Sequence, residues 1–237
     1  MKKEDNILYT IIKTIPPINS EGWKFIAIFA SITALLALFS CSLFWVGVIL
    51  TLWCAYFFRD PIRVIPNRGG LIVSPADGIV QNIVKIVPPP QLKIGDAERV
   101  RISIFLNVFD VHVNRIPLAG TVSSLFYFPG QFFNASLDKA SEENERQYIS
   151  VTTDDGYKVG FVQIAGLIAR RIVCHLKEGQ EVQTGDRFGL IRFGSRVDIY
   201  LPENLEPLVV VGQRAIGGET IIADFKSSDS ARTGINI

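Results

Sequence analysis

The sequence is poor in the residues that build disulfide frameworks and metal sites. Its 237 residues include three cysteines and two histidines. No two cysteines form a Cys-x-x-Cys pair, which argues against a zinc site and against a disulfide scaffold, and favours a reducing compartment. We therefore expect no metal cofactor.

The sequence also lacks an excess of charge of either sign. It has 24 Lys and Arg against 23 Asp and Glu, which gives a formal net charge of +1. A nearly neutral chain has no overall field that would attract a polyanion, so we do not expect nucleic acid as a partner. No Gly-x-Ser-x-Gly pattern occurs either, and this counts against the usual nucleophile turn of α/β-hydrolases.

Charge is missing altogether from residues 25–58, a run of 34 residues. A single straight helix of that length would measure about 51 Å, against a bilayer core of about 30 Å. Two alternatives remain, a long tilted span with an interfacial extension and a hairpin that turns near residues 40–42. Basic residues on both flanks favour the hairpin, with both ends in the cytoplasm. These residues are Lys2, Lys3, Lys13, Lys24, Arg59, Arg63 and Arg68.

The rest of the chain has a residue pattern that is typical of a β protein. After Arg59, short apolar alternations are broken by Gly, Pro and Asp, as at residues 71–73, 78–80 and 83–87. A Gly-x-x-Val-x-x-Gly-Asp pattern at 179–186 is similar to lipoyl- and biotinyl-type half-barrels. We expect a mostly β fold, a compact antiparallel domain over 59–237, preceded by a membrane-associated helical segment within 1–58.

The dipeptide Gly194-Ser195 lies between two predicted strands. Glycine permits backbone conformations that other residues resist. A serine held just after it can direct its hydroxyl back at the preceding carbonyl, which permits self-cleavage rather than attack on another molecule. Gly-Ser is also common in turns, so other motifs are needed to decide.

Three further motifs accompany this dipeptide. They are Phe-Phe-Arg-Asp-Pro at 57–61, Ser-Pro-Ala-Asp-Gly at 74–78 and Phe-Asp-Val-His-Val-Asn-Arg at 109–115. With Phe-Gly-Ser-Arg at 193–196, they resemble the signature of phosphatidylserine decarboxylase proenzymes in their short, pyruvoyl-dependent form. The resemblance runs from about residue 57 to about residue 224. Long forms of the family have a second histidine where this sequence has Arg115.

The resemblance implies that the chain is a zymogen. Autocatalytic cleavage between Gly194 and Ser195 would give a β chain of residues 1–194 and an α chain of residues 195–237, and Ser195 would become a covalent pyruvoyl group. A serine hydroxyl needs a base to take its proton, and His112 is the best candidate because imidazole titrates near neutral pH. Asp77 would fix the imidazole tautomer and support its positive charge.

The same resemblance implies decarboxylation of phosphatidylserine to phosphatidylethanolamine, a step of phospholipid biosynthesis. The pyruvoyl ketone would accept the electrons released with carbon dioxide. Arg115 could bind the substrate carboxylate or phosphate, since a guanidinium binds either one bidentately. The implied partners are the phospholipid, the membrane and the two chains of one precursor, at the cell membrane with the active domain on the cytoplasmic side. A homo-oligomer is left open.

Two other functions stay open at this point. A membrane-anchored serine hydrolase could use Asp77, His112 and Ser195 in an order that also occurs in proteases. A lipoyl-like binding module without catalysis would need none of the three. A hydrolase would keep Ser195 within one intact chain, so the mass of the protein separates it from a self-processing decarboxylase.

Overall fold

The computed structural model describes residues 15–130, 143–166, 171–192 and 195–234. The chain divides into two compact units, Met1–Ile62 and Arg63–Ile237. Gly194, predicted to stand on one side of the cleaved bond, lies outside the described residues, whereas Ser195 lies within them.

The first unit contains two consecutive apolar helices. A 3₁₀ turn, Ser20–Gly22, precedes helix α1 (Trp23–Ala37), and helix α2 (Cys41–Phe57) follows. The Ser40 hydroxyl accepts a hydrogen bond of 3.2 Å from the main-chain N–H of Ser42 and so caps the start of α2. By length and composition, the continuous helical stretch Ser20–Ala37 could cross a membrane, and α2 is shorter than that requirement.

Helices α1 and α2 pack against each other as a hairpin. The hydroxyl oxygens of Thr33 and Thr51 lie 3.1 Å apart across the pair. A Cβ atom on Gly47 would come within 2.6 Å of the Thr33 hydroxyl, so glycine is what allows this close approach. Of the two alternatives for residues 25–58, the hairpin therefore describes the fold, with its turn at residues 38–40.

The second unit consists of antiparallel strands. In chain order they are β1 (Leu71–Val73), β2 (Gly78–Ile86), β3 (Arg99–Leu106), β4 (Val113–Arg115), β5 (Gly120–Phe128), β6 (Arg146–Thr152), β7 (Lys158–Ala165), β8 (Ile172–Cys174), β9 (Glu181–Val182), β10 (Arg187–Ile191), β11 (Ser195–Tyr200), β12 (Arg214–Ala215) and β13 (Ile221–Asp224). An eight-stranded sheet has the order β12-β2-β3-β11-β7-β6-β5-β9, beside the sheets β4-β10-β8 and β1-β13. The predicted mostly β fold with half-barrel character is thus confirmed.

Strand β2 differs from its prediction. The sequence indicated two short strands, at 78–80 and 83–87, whereas the structure has one continuous strand, Gly78–Ile86. A β-bulge between Val80 and Asn82 absorbs one extra residue, so pairing with β3 continues on both sides of it. The polar residues Gln81 and Asn82, which interrupted the apolar pattern, lie at this bulge.

Strand β11 lies in the middle of the large sheet, paired with β3 on one side and β7 on the other. Ser195, Val197 and Ile199 alternate along it with Arg196, Asp198 and Tyr200, and side chains alternate between the two faces of a strand. Val197 and Ile199 belong to the main hydrophobic core, whereas Tyr200 belongs to a second, smaller cluster. We call the side with Ser195 the first face and the side with Arg196 the second face.

Candidate active site

Ser195 is the first residue of β11, opposite Leu106 of β3 and Ala165 of β7. It is completely buried. Its hydroxyl makes no hydrogen bond with any of the described residues. A buried polar group without a partner costs about 1–3 kcal/mol, a cost that the fold also bears at Ser103 of β3, so Ser195 differs in its place at the start of β11, directly after the predicted cleavage bond.

His112 stands just before β4 and is 2% exposed. Its ring Nδ1 lies 3.0 Å from the main-chain carbonyl oxygen of Asp110. A carbonyl can only accept a hydrogen bond, so in the neutral ring the proton is on Nδ1 and the lone pair is on Nε2. This is the tautomer that a general base needs.

The main chain links His112 to the segment that leads to Ser195. The N–H of Ile191, the last residue of β10, donates to the His112 carbonyl oxygen at 3.3 Å. The pairing of β10 with β4 begins next to this contact, with Leu190 opposite Val113. Because Ile191 precedes Ser195 by only four residues, the histidine segment and the predicted cleavage segment are neighbours in the fold.

Asp77 lies in the turn between β1 and β2 and is 8% exposed. Its Oδ2 accepts a hydrogen bond of 2.6 Å from Arg63 Nη2, and its Oδ1 accepts one of 2.9 Å from the N–H of Gly217. The turn is tied to β4, since the N–H of Arg115 donates to the Pro75 carbonyl oxygen at 2.9 Å. Main-chain hydrogen bonds thus join the Asp77 turn to β4, which follows His112, and join His112 to Ile191 of β10, which ends four residues before Ser195.

Burial raises the pKa of the Asp77 carboxyl. The positive charge of Arg63, together with the hydrogen bonds from Gly217 and Arg63, opposes this rise, while the negative charge of Asp110 adds to it. Arg63 is therefore the main group that favours the ionised form of Asp77. The contact that fixes the His112 tautomer comes from the Asp110 carbonyl, and the orienting role predicted for Asp77 stays a prediction.

Glycine is required directly after Asp77. A Cβ atom on Gly78 would lie 2.2 Å from the Phe105 carbonyl oxygen, far inside contact distance. Gly78 therefore lets β2 approach β3 closely, and the pairing of the two strands begins at the next residue, Ile79, opposite Phe105. The Ala-Asp-Gly part of the motif at 74–78 has a structural reason as well as a chemical one.

Arg115, the predicted substrate ligand, is 6% exposed within β4. Its Nη1 donates to the Gly185 carbonyl oxygen at 2.9 Å. Part of the guanidinium is thus used to hold the turn before β10. Substrate binding by Arg115 stays a prediction.

Several polar groups near the site were assigned no role from the sequence. Asp110 is 1% exposed and forms an ion pair with Arg214 of β12. Asn114 and Gln163 are fully buried, and Gln163 Nε2 donates to Asn114 Oδ1 at 2.8 Å. Gln163 lies opposite Val197, on the first face. The signal that could have identified Asp110 and Asn114 is their position beside His112 in the motif at 109–115.

The described ranges contain no cluster of three or more His, Cys, Asp or Glu side chains that could hold a metal ion. What the site offers is a buried hydroxyl, an imidazole with its lone pair on Nε2 and a carboxylate held by a guanidinium. These groups suit proton transfer and nucleophilic attack.

Comparison with known proteins gives a consistent result. The family model for phosphatidylserine decarboxylase matches residues 50–223. The phosphatidylserine decarboxylase proenzyme of Paramagnetospirillum magneticum is 56% identical over 218 residues, which cover 92% of this chain and 91% of that protein. The proenzyme of Rickettsia felis is 58% identical over 229 residues, covering 97% and 96%. That of Rickettsia akari is 61% identical over 208 residues, covering 88% and 90%.

The matched region includes the turn with Asp77, the approach to β4 with His112 and the start of β11 with Ser195. It also includes the end of helix α2, so the likeness is not limited to a few short motifs. Matches of this length and identity leave no other family to consider, and the chain belongs to the phosphatidylserine decarboxylase family of enzymes.

Proposed function

We propose that this protein decarboxylates phosphatidylserine with a pyruvoyl group that it makes from its own Ser195. The observation that carries the proposal is the buried Ser195 hydroxyl at the start of β11, without a hydrogen-bond partner among the described residues. Proenzyme, the word in the names of the relatives, supports a processed chain.

Splitting begins with attack of the Ser195 Oγ on the Gly194 carbonyl carbon. His112 Nε2 accepts the hydroxyl proton and returns it to the Ser195 nitrogen as the peptide bond breaks, which leaves an ester between the two residues. Loss of the Ser195 Cα proton then expels the Gly194 carboxylate. The dehydroalanine that remains tautomerises to an imine, water adds to the imine carbon, ammonia leaves, and a ketone remains at the start of the second chain.

Ser195 is the position that would hold the pyruvoyl group. When present, this group supplies an electron-accepting carbonyl for loss of carbon dioxide. His112 would stand ready to return a proton to the carbon that lost the carboxylate, since the reaction is complete only when that carbon is reprotonated. Arg115 would bind an acidic group of the lipid, since a guanidinium matches both carboxylate and phosphate oxygens.

The helical hairpin supports a membrane location for the enzyme. Helix α1 and helix α2 carry no charged residue between Phe25 and Phe57, and many of their large apolar side chains are exposed. Exposed apolar surface of this extent is stable in lipid and unfavourable in water. We propose that the hairpin attaches the enzyme to the cell membrane from the cytoplasmic side, where its substrate headgroup is available.

Intact mass measurement on membrane fractions tests both proposals together. Membranes from cells that express the protein are extracted at alkaline pH, and the proteins of the pellet are denatured and weighed. We expect chains of 194 and 43 residues in the pellet, the smaller one starting with a ketone that borohydride reduces. A single chain of 237 residues, with Ser195 still inside it, would instead favour a serine hydrolase. Release of both chains from the membranes by alkali would contradict membrane insertion.

Arg63→Gln is expected to slow splitting by roughly tenfold at neutral pH, the effect of about 1.4 kcal/mol on the barrier. The substitution removes the charge that lowers the pKa of Asp77 while burial continues to raise it. The ionised form of Asp77 that the reaction needs then exists only at higher pH. The pH below which splitting slows is therefore expected to rise. Splitting is followed by denaturing electrophoresis of freshly translated protein across a pH series.

Arg68→Gln is the matched control for this variant. It removes the same charge from the same segment, but Arg68 forms its ion pair with Asp224 of β13. Its splitting rate and pH profile are expected to match those of the unaltered protein. An Arg63→Gln profile that coincides with the Arg68→Gln profile would show that Asp77 does not need its arginine partner.

A further inference from the structure

The second face of the large sheet carries a cavity that the proposed reaction does not use. Its volume is about 540 Å³. Sites for small molecules commonly enclose about 300–1,000 Å³. The cavity is lined by Ile86, Val87, Pro88, Pro89, Pro90, Gln91, Arg101, Arg146, Tyr148, Val162, Ile164, Asp198 and Tyr200.

Strands β3, β11 and β6 supply the charged and phenolic groups of this cavity, and β7, which lies between β11 and β6, supplies apolar side chains. Tyr148 of β6, Val162 of β7 and Asp198 of β11 lie in one row across the sheet. In the row two residues further along, Tyr200 of β11 pairs with Arg101 of β3. Side chains two residues apart on a strand share a face, so these groups converge on one side of the sheet.

The one carboxylate in the lining is matched by a guanidinium outside it. Arg196 Nη2 donates to Asp198 Oδ2 at 2.9 Å, and Arg196 Nε lies 2.8 Å from Asp198 Oδ1. Both side chains are 2% exposed. Asp198 thus forms an ion pair with Arg196 through one hydrogen bond, and the described lining has two further guanidiniums, Arg101 and Arg146, beyond this pair.

The two tyrosines add hydrogen-bond donors without adding negative charge. Burial, and next the charge of Asp198, raise the pKa of Tyr200. Burial likewise raises the pKa of Tyr148. Both phenols therefore stay protonated at physiological pH. The guanidinium of Arg146 lies over the ring of Phe128, 4.4 Å from its centroid, which holds the group in position.

We propose that this cavity binds a phosphate-class anion, either inorganic phosphate or the phosphoryl group of an ester. Each guanidinium carries five N–H donors, of which Arg101 uses part on Tyr200 and Arg146 uses part on Tyr148, and the two phenols add one O–H donor each. A carboxylate has two oxygens to accept from them, whereas a phosphoryl group has three or four. Guanidiniums also match the geometry of phosphate oxygens, so phosphate makes fuller use of this lining than a carboxylate does.

This site is distinct from the one proposed for catalysis. Asp198 and Tyr200 stand on the same strand as Ser195 but project from the opposite face. The residues that join His112 and Asp77 to Ser195 are absent from the cavity lining. Anion binding here does not depend on whether Ser195 is processed.

Equilibrium dialysis of the purified full-length protein against radiolabelled inorganic phosphate tests the proposal. We expect saturable binding of one phosphate per protein with a dissociation constant below about 1 mM, the range of weak but specific small-ligand sites. Binding that fails to saturate below about 10 mM, or that involves several phosphates per chain, would overturn the proposal.

Arg101→Gln is expected to raise the dissociation constant about tenfold or more, because it removes charge-assisted hydrogen bonds to the anion. Lys85→Gln is the control, since it removes the same charge from an exposed position of neighbouring strand β2. It should change the constant less than about twofold. Equal losses in the two variants would mean that phosphate responds only to overall charge, and the proposed cavity site would be wrong.

A milder variant serves as a control in case Arg101→Gln does not fold. Tyr200→Phe removes one hydroxyl and keeps the buried ring, so the thermal unfolding midpoint should stay close to that of the unaltered protein. It is expected to weaken phosphate binding about threefold, the effect of one neutral hydrogen bond. Unchanged binding in Tyr200→Phe together with unchanged binding in a folded Arg101→Gln would overturn the proposal.

Two competing probes identify the source of the anion. Glycerol 3-phosphate is a monoester with up to two negative charges, and dimethyl phosphate is a diester with one, as in a phospholipid headgroup. Displacement of labelled phosphate by the monoester alone indicates a soluble phosphate compound, and displacement by both indicates that a lipid headgroup fits as well. Acetate is expected to compete at least tenfold more weakly than either; equal competition by acetate would contradict a phosphate-specific site.

Discussion

Ser195→Ala is expected to leave the chain whole and to abolish decarboxylation. Alanine has no nucleophile, and without the side-chain oxygen neither the ester nor the ketone can form. Removal of a nucleophile commonly lowers catalytic rates by about 10⁴-fold or more, so no split product should be visible over days. Intact mass measurement should give one chain of 237 residues, and decarboxylation of labelled phosphatidylserine should stay at background.

Ser103→Ala provides a matched control for this variant. Ser103 lies on β3, is 1% exposed, and its hydroxyl also makes no hydrogen bond with a described residue. The same atom is thus removed from a buried position on the adjacent strand. We expect Ser103→Ala to split and to decarboxylate normally. Activity in a whole-chain Ser195→Ala protein would remove pyruvoyl chemistry from consideration.

His112→Ala is expected to slow splitting by about 10²–10⁴-fold, the usual contribution of a general base. The ring is held by the Asp110 carbonyl with its lone pair on Nε2, and no other histidine lies in a motif. Because His112 is buried, alanine also leaves a cavity. His112→Gln fills more of this space and can still donate to the carbonyl, but it cannot take up a proton.

Both variants should therefore split slowly. The unfolding temperature of His112→Gln should be closer than that of His112→Ala to the value of the unaltered protein. His175→Ala, at an exposed position, is expected to split at the normal rate. Splitting is measured by pulse labelling and electrophoresis. Normal splitting in His112→Gln would assign the base to another group, with Asp77 or Asp110 as the next candidates.

Much of the fold could be predicted because it follows from local patterns. Short apolar segments marked β1 and most of β2, and the uncharged run 25–58 marked the helical hairpin. The bulge in β2 could not be predicted. It depends on how β3 pairs with the strand, which is a property of the partner and not of the polar residues at the bulge.

The site was predictable only as far as its residues stand in motifs. Asp77, His112 and Ser195 were each chosen from short runs of sequence, and the structure joins the Asp77 turn to β4 and His112 to β10, while the joint action of the three residues stays a prediction. Arg63 could not be assigned to Asp77 beforehand, since 14 residues separate them and no pattern relates the two positions. The contact between the Asp110 main-chain carbonyl and His112 could not be predicted either, because every residue has a main-chain carbonyl and the sequence does not show which one faces the ring.

The position of β11 has a consequence for how the protein reaches its final state. β11 is hydrogen-bonded along its length to β3 and β7, while β12 and β13 pair with β2 and β1. Before splitting, these strands are brought together within one chain, and closing the loops costs little entropy. After splitting, the same pairing would require two molecules to meet, so refolding becomes dependent on concentration. If the chain splits as proposed, assembly must therefore precede splitting, and a split protein that unfolds at low cellular concentration has no efficient route back.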